Sequence, residues 1–230
     1  MNRAPLLIVL MLGGLLPASH AADAPSQPRP PAPSLKAPAN ASSQVDDRGF
    51  IRRWLVLEPI SVSNQLTAEA VDKALVDKAY PSTSTLPLAG DLAPWAGAEL
   101  RWHAVDTIRY NVNLYHFAWA LSKPTSNVLF WAVTVVDAPQ EMKNVRLAIC
   151  SNAASAWWLN EERLISLYND RQSVIDDGVS RRVTLRKGPN VIRAAIINAG
   201  GATDFCARFL DSADRPITGL KTRLTVAATK

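Results

Sequence analysis

The sequence predicts an all-β fold, a jelly-roll β-sandwich, and three observations predict it. Many short runs are rich in β-branched and aromatic residues, as in Asn127 to Val136, NVLFWAVTVV. Turn signals separate those runs at regular intervals: Lys187-Gly188-Pro189-Asn190, Gly200-Gly201, and Asp211 to Pro216. A single stretch, Thr67 to Ala79, carries clear helical spacing. Many strands with little helix is the pattern of a sandwich or jelly roll.

The first residues fall outside that fold. Arg3 is a short basic start, Leu6 to Leu16 is apolar, and Pro17 breaks the run. A spanning helix needs about 20 apolar residues, so this run fits an export signal. Ser19-His20-Ala21 places small residues where a signal peptidase cuts, so residues 1–21 are read as a signal peptide. No cysteine follows to carry a lipid, and no other run is long and apolar enough to cross a membrane. The mature protein is therefore expected to be periplasmic or extracellular, without a membrane span. Residues 22–48 read as an Ala/Pro-rich linker. Asp23 to Ser43 holds Pro25, Pro28, Pro30, Pro31, Pro33 and Pro38 and has little to bury, so an extended tether is expected there. Residues 49–230 are left for one domain.

Within that domain, Phe50 to Ile60 is bulky and apolar and ends beside Pro59, which predicts a strand. Thr67 suits the N-cap of the helix, Glu69 suits its positive end, and Pro81 stops it. Tyr80 to Gly97 reads as loop. Glu99 to Asp106 alternates, with Arg101, His103 and Val105 on one face and Trp102, Ala104 and Asp106 on the other. Asn111 to Leu121 fits a strand or a short helical turn. Lys143 to Cys150 and Ser155 to Leu159 are strands on either side of a polar corner. The stretch they form, Val145 to Asn160, is the one around which the others can be arranged. Val183 to Leu185 and Val191 to Asn198 read as a hairpin. Asp204 to Leu210 and Leu220 to Val226 complete the set.

Several of these runs resemble a galactose-binding-like jelly-roll module of carbohydrate-active proteins. FIRRWLVLEPI resembles its opening strand, "IRxWLVLGPF". The run NVLFWAVTVVDAPQEMKNVRLAICSNAASAWWLN resembles its centre, where a strand leads to a "GSNDG" corner and a "VWLNG" strand. LRKGPNVIRAAIINAGGATDFCARFLDSADRPITG resembles its end, with "LKKGWN" and "GFxLRFxDxxGxP". The resemblance covers Phe50 to Gly219. It implies a carbohydrate role, and small exported proteins of this type are often labelled acetylxylan esterase. Related protective-antigen-type adhesin domains hold calcium and a sugar with paired Asp at the corner. Here the corner is Ser151-Asn152-Ala153-Ala154, which lacks the charged oxygens a hard cation wants, so no metal is expected. The family's Asn-Gly turn is Asn160-Glu161, a departure at a position where a type I′ turn favours Gly.

Composition narrows the function. The formal net charge is +5, and it becomes +4 once Arg3 leaves with the signal. Arg52-Arg53, Arg181-Arg182 and Arg186-Lys187 are scattered pairs, whereas nucleic acid wants a clustered basic face, so none is expected as partner. Cys150 and Cys206 fit either a disulfide or two buried thiols. Two cysteines do not make a zinc site, and no cofactor is implied.

An esterase needs a nucleophile, a base and an oxyanion hole. G-x-S-x-G is absent, as is the G-D-S start with a later D-x-x-H. The catalytic candidates are Ser151 on the corner, His103 and Asp106, although the last two alternate to opposite faces of a regular strand. The adjacent acids Asp176-Asp177 and Glu161-Glu162 do not face each other as a glycosidase pair must. Sugar binding needs an aromatic face and planar polar groups. Trp157 and Trp158 are consecutive, so one faces the core and the other faces outward or toward a loop; a core place for both, one on each side of a sheet, fits equally. Asn160, Asn152, Asp204 and Arg171 near strand ends complete the ligand candidates. Trp54, Trp119 and Trp131 are assigned to the core. The leading expectation is an exported module that binds polysaccharide or oligosaccharide, xylan-type, without catalysis. Acetylxylan esterase activity is the alternative, and a protein-binding envelope module the third. Oligomeric state does not follow from the sequence.

Overall fold

The computed structural model describes residues 35–81, 86–95 and 98–226. The expected signal peptide lies outside them. Sixteen strands and two helices are described in chain order. Before the first helix come β1 (Leu35–Lys36), β2 (Ser42–Gln44), β3 (Arg53–Leu57) and β4 (Ile60–Ser61). Then follow α1 (Ala68–Asp77), β5 (Leu92–Trp95), β6 (Ala98–Thr107), β7 (Val112–Asn113) and α2 (Leu114–Ala120). The central strands are β8 (Val128–Ala138), β9 (Met142–Ser151), β10 (Ala154–Leu159) and β11 (Glu162–Leu167). The last are β12 (Gly178–Val179), β13 (Val183–Leu185), β14 (Gly188–Asn198), β15 (Asp204–Leu210) and β16 (Lys221–Arg223).

Two antiparallel sheets result. The large one runs β1-β6-β3-β8-β14-β10-β11, with β16 and β4 also on β8, β2 on β16 and β5 on β6. The small one runs β12-β9-β15-β7, with β13 also on β9. Their facing sides bury Trp54, Phe130, Ile192 and Trp157 from the large sheet against Leu147, Ile149, Phe205 and Phe209 from the small one. The far side of the large sheet is covered as well. Leu66 and Val71, with Ala74, Leu75 and Tyr80, pack over Leu57, Leu129, Trp131 and Trp102. This double cover explains why β8 is an unbroken apolar run rather than an alternating one.

The helix expected after Thr67 is present, and Thr67 Oγ1 accepts from the Ala70 N–H at 3.3 Å. Asn111 to Leu121 contains both of the structures it fits, β7 followed by α2. Asn113 makes the junction, its Oδ1 accepting from His116 N–H at 2.7 Å. Trp54 and Trp131 are buried, while Trp119 is half-buried. Cys150 and Cys206 lie opposite each other on β9 and β15, Cα atoms 4.9 Å apart, and form a disulfide.

Three expectations are corrected. Tyr80 to Gly97 is not all loop, because β5 within it pairs with β6. Residues 35–48 are not all tether: β1 adds to the edge of β6, β2 pairs with β16, and Val45 is buried. These strands are held by backbone hydrogen bonds, which leave no apolar pattern in the sequence. Val183–Leu185 and Val191–Asn198 do not form a hairpin. β13 pairs with β9 in the small sheet, whereas β14 lies between β8 and β10 in the large one. The turn at Gly188 is real, with φ +82°, and Asn190 Nδ2 donates to the carbonyls of Arg186 and Gly188. It carries the chain from one sheet to the other.

The β10–β11 turn keeps its type I′ character despite lacking glycine: Asn160 has φ +47° and Glu161 φ +76°. Asn160 is held there by its side chain, Oδ1 accepting from Val191 N–H (2.9 Å) and Nδ2 donating to Asn190 Oδ1 (3.0 Å). Glu161 has no such compensation; its side chain is 88% exposed, with Arg193 4.0 Å away. A left-handed conformation costs a non-glycine residue about 1–2 kcal/mol, part of which glycine returns through its freer unfolded chain. Glu161→Gly is therefore expected to stabilise the fold by roughly 0.5–1 kcal/mol, read as a higher urea midpoint with an unchanged slope.

Candidate functional site

Alternation places the site. On β15, Phe205 enters the inter-sheet core and Cys206 lies in a separate cluster on the outer face of the small sheet, with Phe50, Tyr110 and Ile175. Asp204, two residues from Cys206, shares that outer face. So does Asn113, which pairs with Asp204 across β7. Asn152 lies on the other side, its N–H donating to the Asp204 carbonyl at 3.1 Å. The result is a row of three polar residues, Asn113, Asp204 and Asn152, beside the disulfide.

The groups in this row are unequally satisfied. Asn113 is committed to capping α2. Asp204 Oδ2 accepts from Asn111 Nδ2, while its Oδ1 is shielded from solvent and has no donor among the described residues. The neighbouring Thr203 Oγ1 is buried and unpartnered too. Among the described residues, the Asn152 side-chain amide has no hydrogen-bond partner. A shielded oxygen without a donor is costly, about 1–3 kcal/mol, so this row favours a hydroxyl-bearing ligand or water at its edge. Tyr110 adjoins it through Asn111, and its half-buried ring packs on Phe50 at 5.2 Å between centroids. Thr107 fixes this loop, its Oγ1 donating to the Asn111 carbonyl (2.8 Å) and accepting from the Arg109 N–H (3.2 Å). Tyr115 is exposed on α2, its N–H 3.2 Å from the Thr203 carbonyl. The loop bearing Arg171 lies over the disulfide, where Ser173 Oγ is 3.2 Å from Cys150 Sγ. Arg171 itself is paired with Asp177.

Of the ligand candidates, the fold brings Asn152 and Asp204 together and lays the Arg171 loop nearby. The other three lie elsewhere. Trp157 is fully buried between the sheets, edge-on to Trp54 (6.2 Å) and Phe205 (5.5 Å), its Nε1 donating to Ser155 Oγ at 3.0 Å. No ligand reaches it. Trp158 points to the far side of the large sheet, 5.5 Å from Trp131, under the Arg163 guanidinium, which is paired with Asp72 of α1. Asn160 is occupied by its turn.

The catalytic candidates are not brought together. Ser151 is buried, and its Oγ donates to the Ala153 carbonyl (2.8 Å), holding the corner closed. Asp106 makes two hydrogen bonds with Arg53, at 2.8 and 2.7 Å. His103 Nε2 lies 3.2 Å from Glu58 Oε1, and Lys123 Nζ lies 2.9 Å from Glu58 Oε2. Burial raises the Glu58 pKa, but hydrogen bonds from Lys123 and His103, the Lys123 charge and an Arg101 backbone hydrogen bond outweigh it, leaving the carboxyl below its ordinary value. Glu58 is thus an ionised anchor between the end of β3, β6 and the segment after α2. No group of three or more His, Cys, Asp or Glu among the described residues is placed to hold a metal ion.

Sequence reasoning missed Tyr110 and Asn111. The one available signal was the segment DTIRYNVN, where an aromatic, Tyr110, sits between two polar residues, Arg109 and Asn111.

The chain matches no family model, and a search of curated proteins gives no match. Solved structures show partial likeness. The A domain of epithelial adhesin 9 from Candida glabrata, solved with Galβ1-3GlcNAc, is 12% identical with a TM-score of 0.45, over 89% of this chain and 99% of that one. A PA14 sugar-binding domain from an RTX adhesin is 10% identical with a TM-score of 0.43, over 74% and 96%. A β-glucosidase from Kluyveromyces marxianus, in complex with glucose, is 17% identical with a TM-score of 0.36, over 68% of this chain but only 15% of the enzyme. At these values the likenesses assign no function.

Proposed function

We propose that the protein is an exported carbohydrate-binding module whose ligand lies along the outer face of the small sheet, from Tyr110 to the Asp204–Asn152 row. One observation carries this reading: an aromatic ring adjoins a row of amide and carboxylate groups that the protein leaves partly unsatisfied. A sugar has the matching surface, an apolar ring face beside a rim of hydroxyls. The dispersal of Ser151, His103 and Asp106 to separate structural partners favours binding over ester hydrolysis. Plant-type polysaccharide such as xylan is the ligand class we would try first.

Affinity electrophoresis of the purified protein through gels containing plant polysaccharides tests this. Retention is expected for the unmodified protein. Asn152→Ala and Asp204→Ala are expected to lower affinity by about tenfold each, the size of one or two lost hydrogen bonds to a charged or polar partner. Asn152→Ala should melt at the parent temperature, since its side chain holds nothing. Retention that neither substitution alters would move the site elsewhere. Acetate release from acetylated xylan, abolished by Ser151→Ala or His103→Ala, would replace this reading with an esterase.

A further inference from the structure

Resting on that reading, we propose that the ligand is an acidic glycan, one bearing uronate carboxylates, and that Arg48 is the residue that recognises the carboxylate. Arg48 is exposed, and its guanidinium stands over both aromatic rings of the outer face, 5.1 Å from the Phe50 centroid and 5.6 Å from that of Tyr110. It has no carboxylate partner among the described residues. That sets it apart from Arg208 and Arg171. Arg208, 4.7 Å from the Phe50 ring on the same face, is committed to Asp176, and Arg171 to Asp177.

Arg48 is also held in place before any ligand arrives. It sits in a tight turn in which Asp46 Oδ1 accepts from the N–H groups of Arg48 (3.0 Å) and Phe50 (2.8 Å). Gly49 closes the turn at φ +81°, where an added Cβ would come within 2.9 Å of the Ile217 carbonyl oxygen. The Arg48 carbonyl accepts from Arg208 Nη1 at 3.1 Å. Stacking on rings holds the planar head with its edge free, and that edge matches a carboxylate with two parallel N–H donors. A group fixed in its bound position loses less entropy on binding.

The face is therefore polarised. Its Arg48 end is cationic and next to Tyr110. Its Asp204–Asn152 end is anionic and amide-bearing and suits hydroxyls. A sugar ring on Tyr110 would put its carboxylate toward Arg48 and its hydroxyls toward Asp204. The net positive charge, +5 for the full sequence and +4 without Arg3, adds a mild attraction for a polyanion.

The test compares one polymer in two forms. Polygalacturonate and glucuronoxylan are each offered as they are and with their carboxyls chemically reduced to alcohols, and affinities are measured by calorimetry or gel retention at low and at 0.5 M salt. We expect the native polymers to bind about tenfold tighter than the reduced ones, and the preference to shrink at high salt. In Arg48→Gln the ratio of the two affinities should fall toward one; Arg48→Lys should restore it in part, since charge returns without the planar fork. Melting curves confirm that these surface variants fold. Equal affinity for both forms, or a ratio that Arg48→Gln leaves unchanged, overturns the inference while leaving carbohydrate binding intact. No binding to any polymer overturns both. The two polymers separate a galacturonate from a glucuronate-bearing ligand.

Discussion

Trp157→Ala is expected to destabilise the protein by about 4 kcal/mol, close to the largest cost of any single truncation in this core. The indole fills the centre of the inter-sheet space against Trp54 and Phe205, and its N–H satisfies the buried Ser155 hydroxyl. Removing it leaves a cavity and a lost hydrogen bond together. A domain holds only 5–15 kcal/mol in all, so denaturant should show a large fall in midpoint at unchanged slope. The next residue behaves differently. Trp158 is half-buried on the far side of the sheet, so Trp158→Ala should cost roughly 1–2 kcal/mol. Any loss of ligand binding in Trp157→Ala should follow the unfolded fraction. A variant that stays fully folded yet loses binding would show that the ring reaches a ligand after all.

Asp106→Ala is expected to cost about 3 kcal/mol, although Asp106 is itself partly exposed. The reason is its partner. Arg53 is 2% exposed, makes two hydrogen bonds with Asp106 and donates a third to the Asn40 carbonyl at 2.6 Å. Without the carboxylate a buried guanidinium is left without a counter-charge, the situation that makes one-sided truncation of such pairs expensive. The estimate sits at the low end of that range because the Asp106 side chain is 27% exposed and water can reach the gap. Replacing both partners, Arg53→Met with Asp106→Leu, should recover most of the loss, because no charge then remains buried. Thermal melts of the single and paired variants decide it. If the single variant keeps its melting temperature, Asp106 does not anchor the sheet and its place among the catalytic candidates reopens.

Both residues looked functional for a sound reason: tryptophans and acids are what carbohydrate sites use. What the sequence lacked was the identity of their neighbours. Arg53 lies 53 residues from Asp106, and nothing local says that a basic pair at Arg52-Arg53 has one member turned inward. The row Asn113–Asp204–Asn152 joins segments up to 91 positions apart, through strand register that no local pattern reveals. Asn152 and Asp204 were nonetheless legible as polar residues at strand ends. Tyr110 and Arg48 were not, because each sits in a short turn whose only mark is the glycine or threonine that shapes it.

Local sequence specified the strands of both sheets' centres, the capped helix α1 over the large sheet, and the opposed facing of Trp157 and Trp158. These depend on periods of two or 3.6 residues and on turn chemistry, all of which are local. Tertiary structure alone decided that β13 and β14 separate into different sheets, that residues 35–48 join the fold, and that the two cysteines meet. It alone decided which polar groups are spent on the protein and which remain for a ligand. Those outcomes depend on which strands become neighbours. Backbone hydrogen bonds between distant segments set that, and they are the same whatever side chains the segments carry.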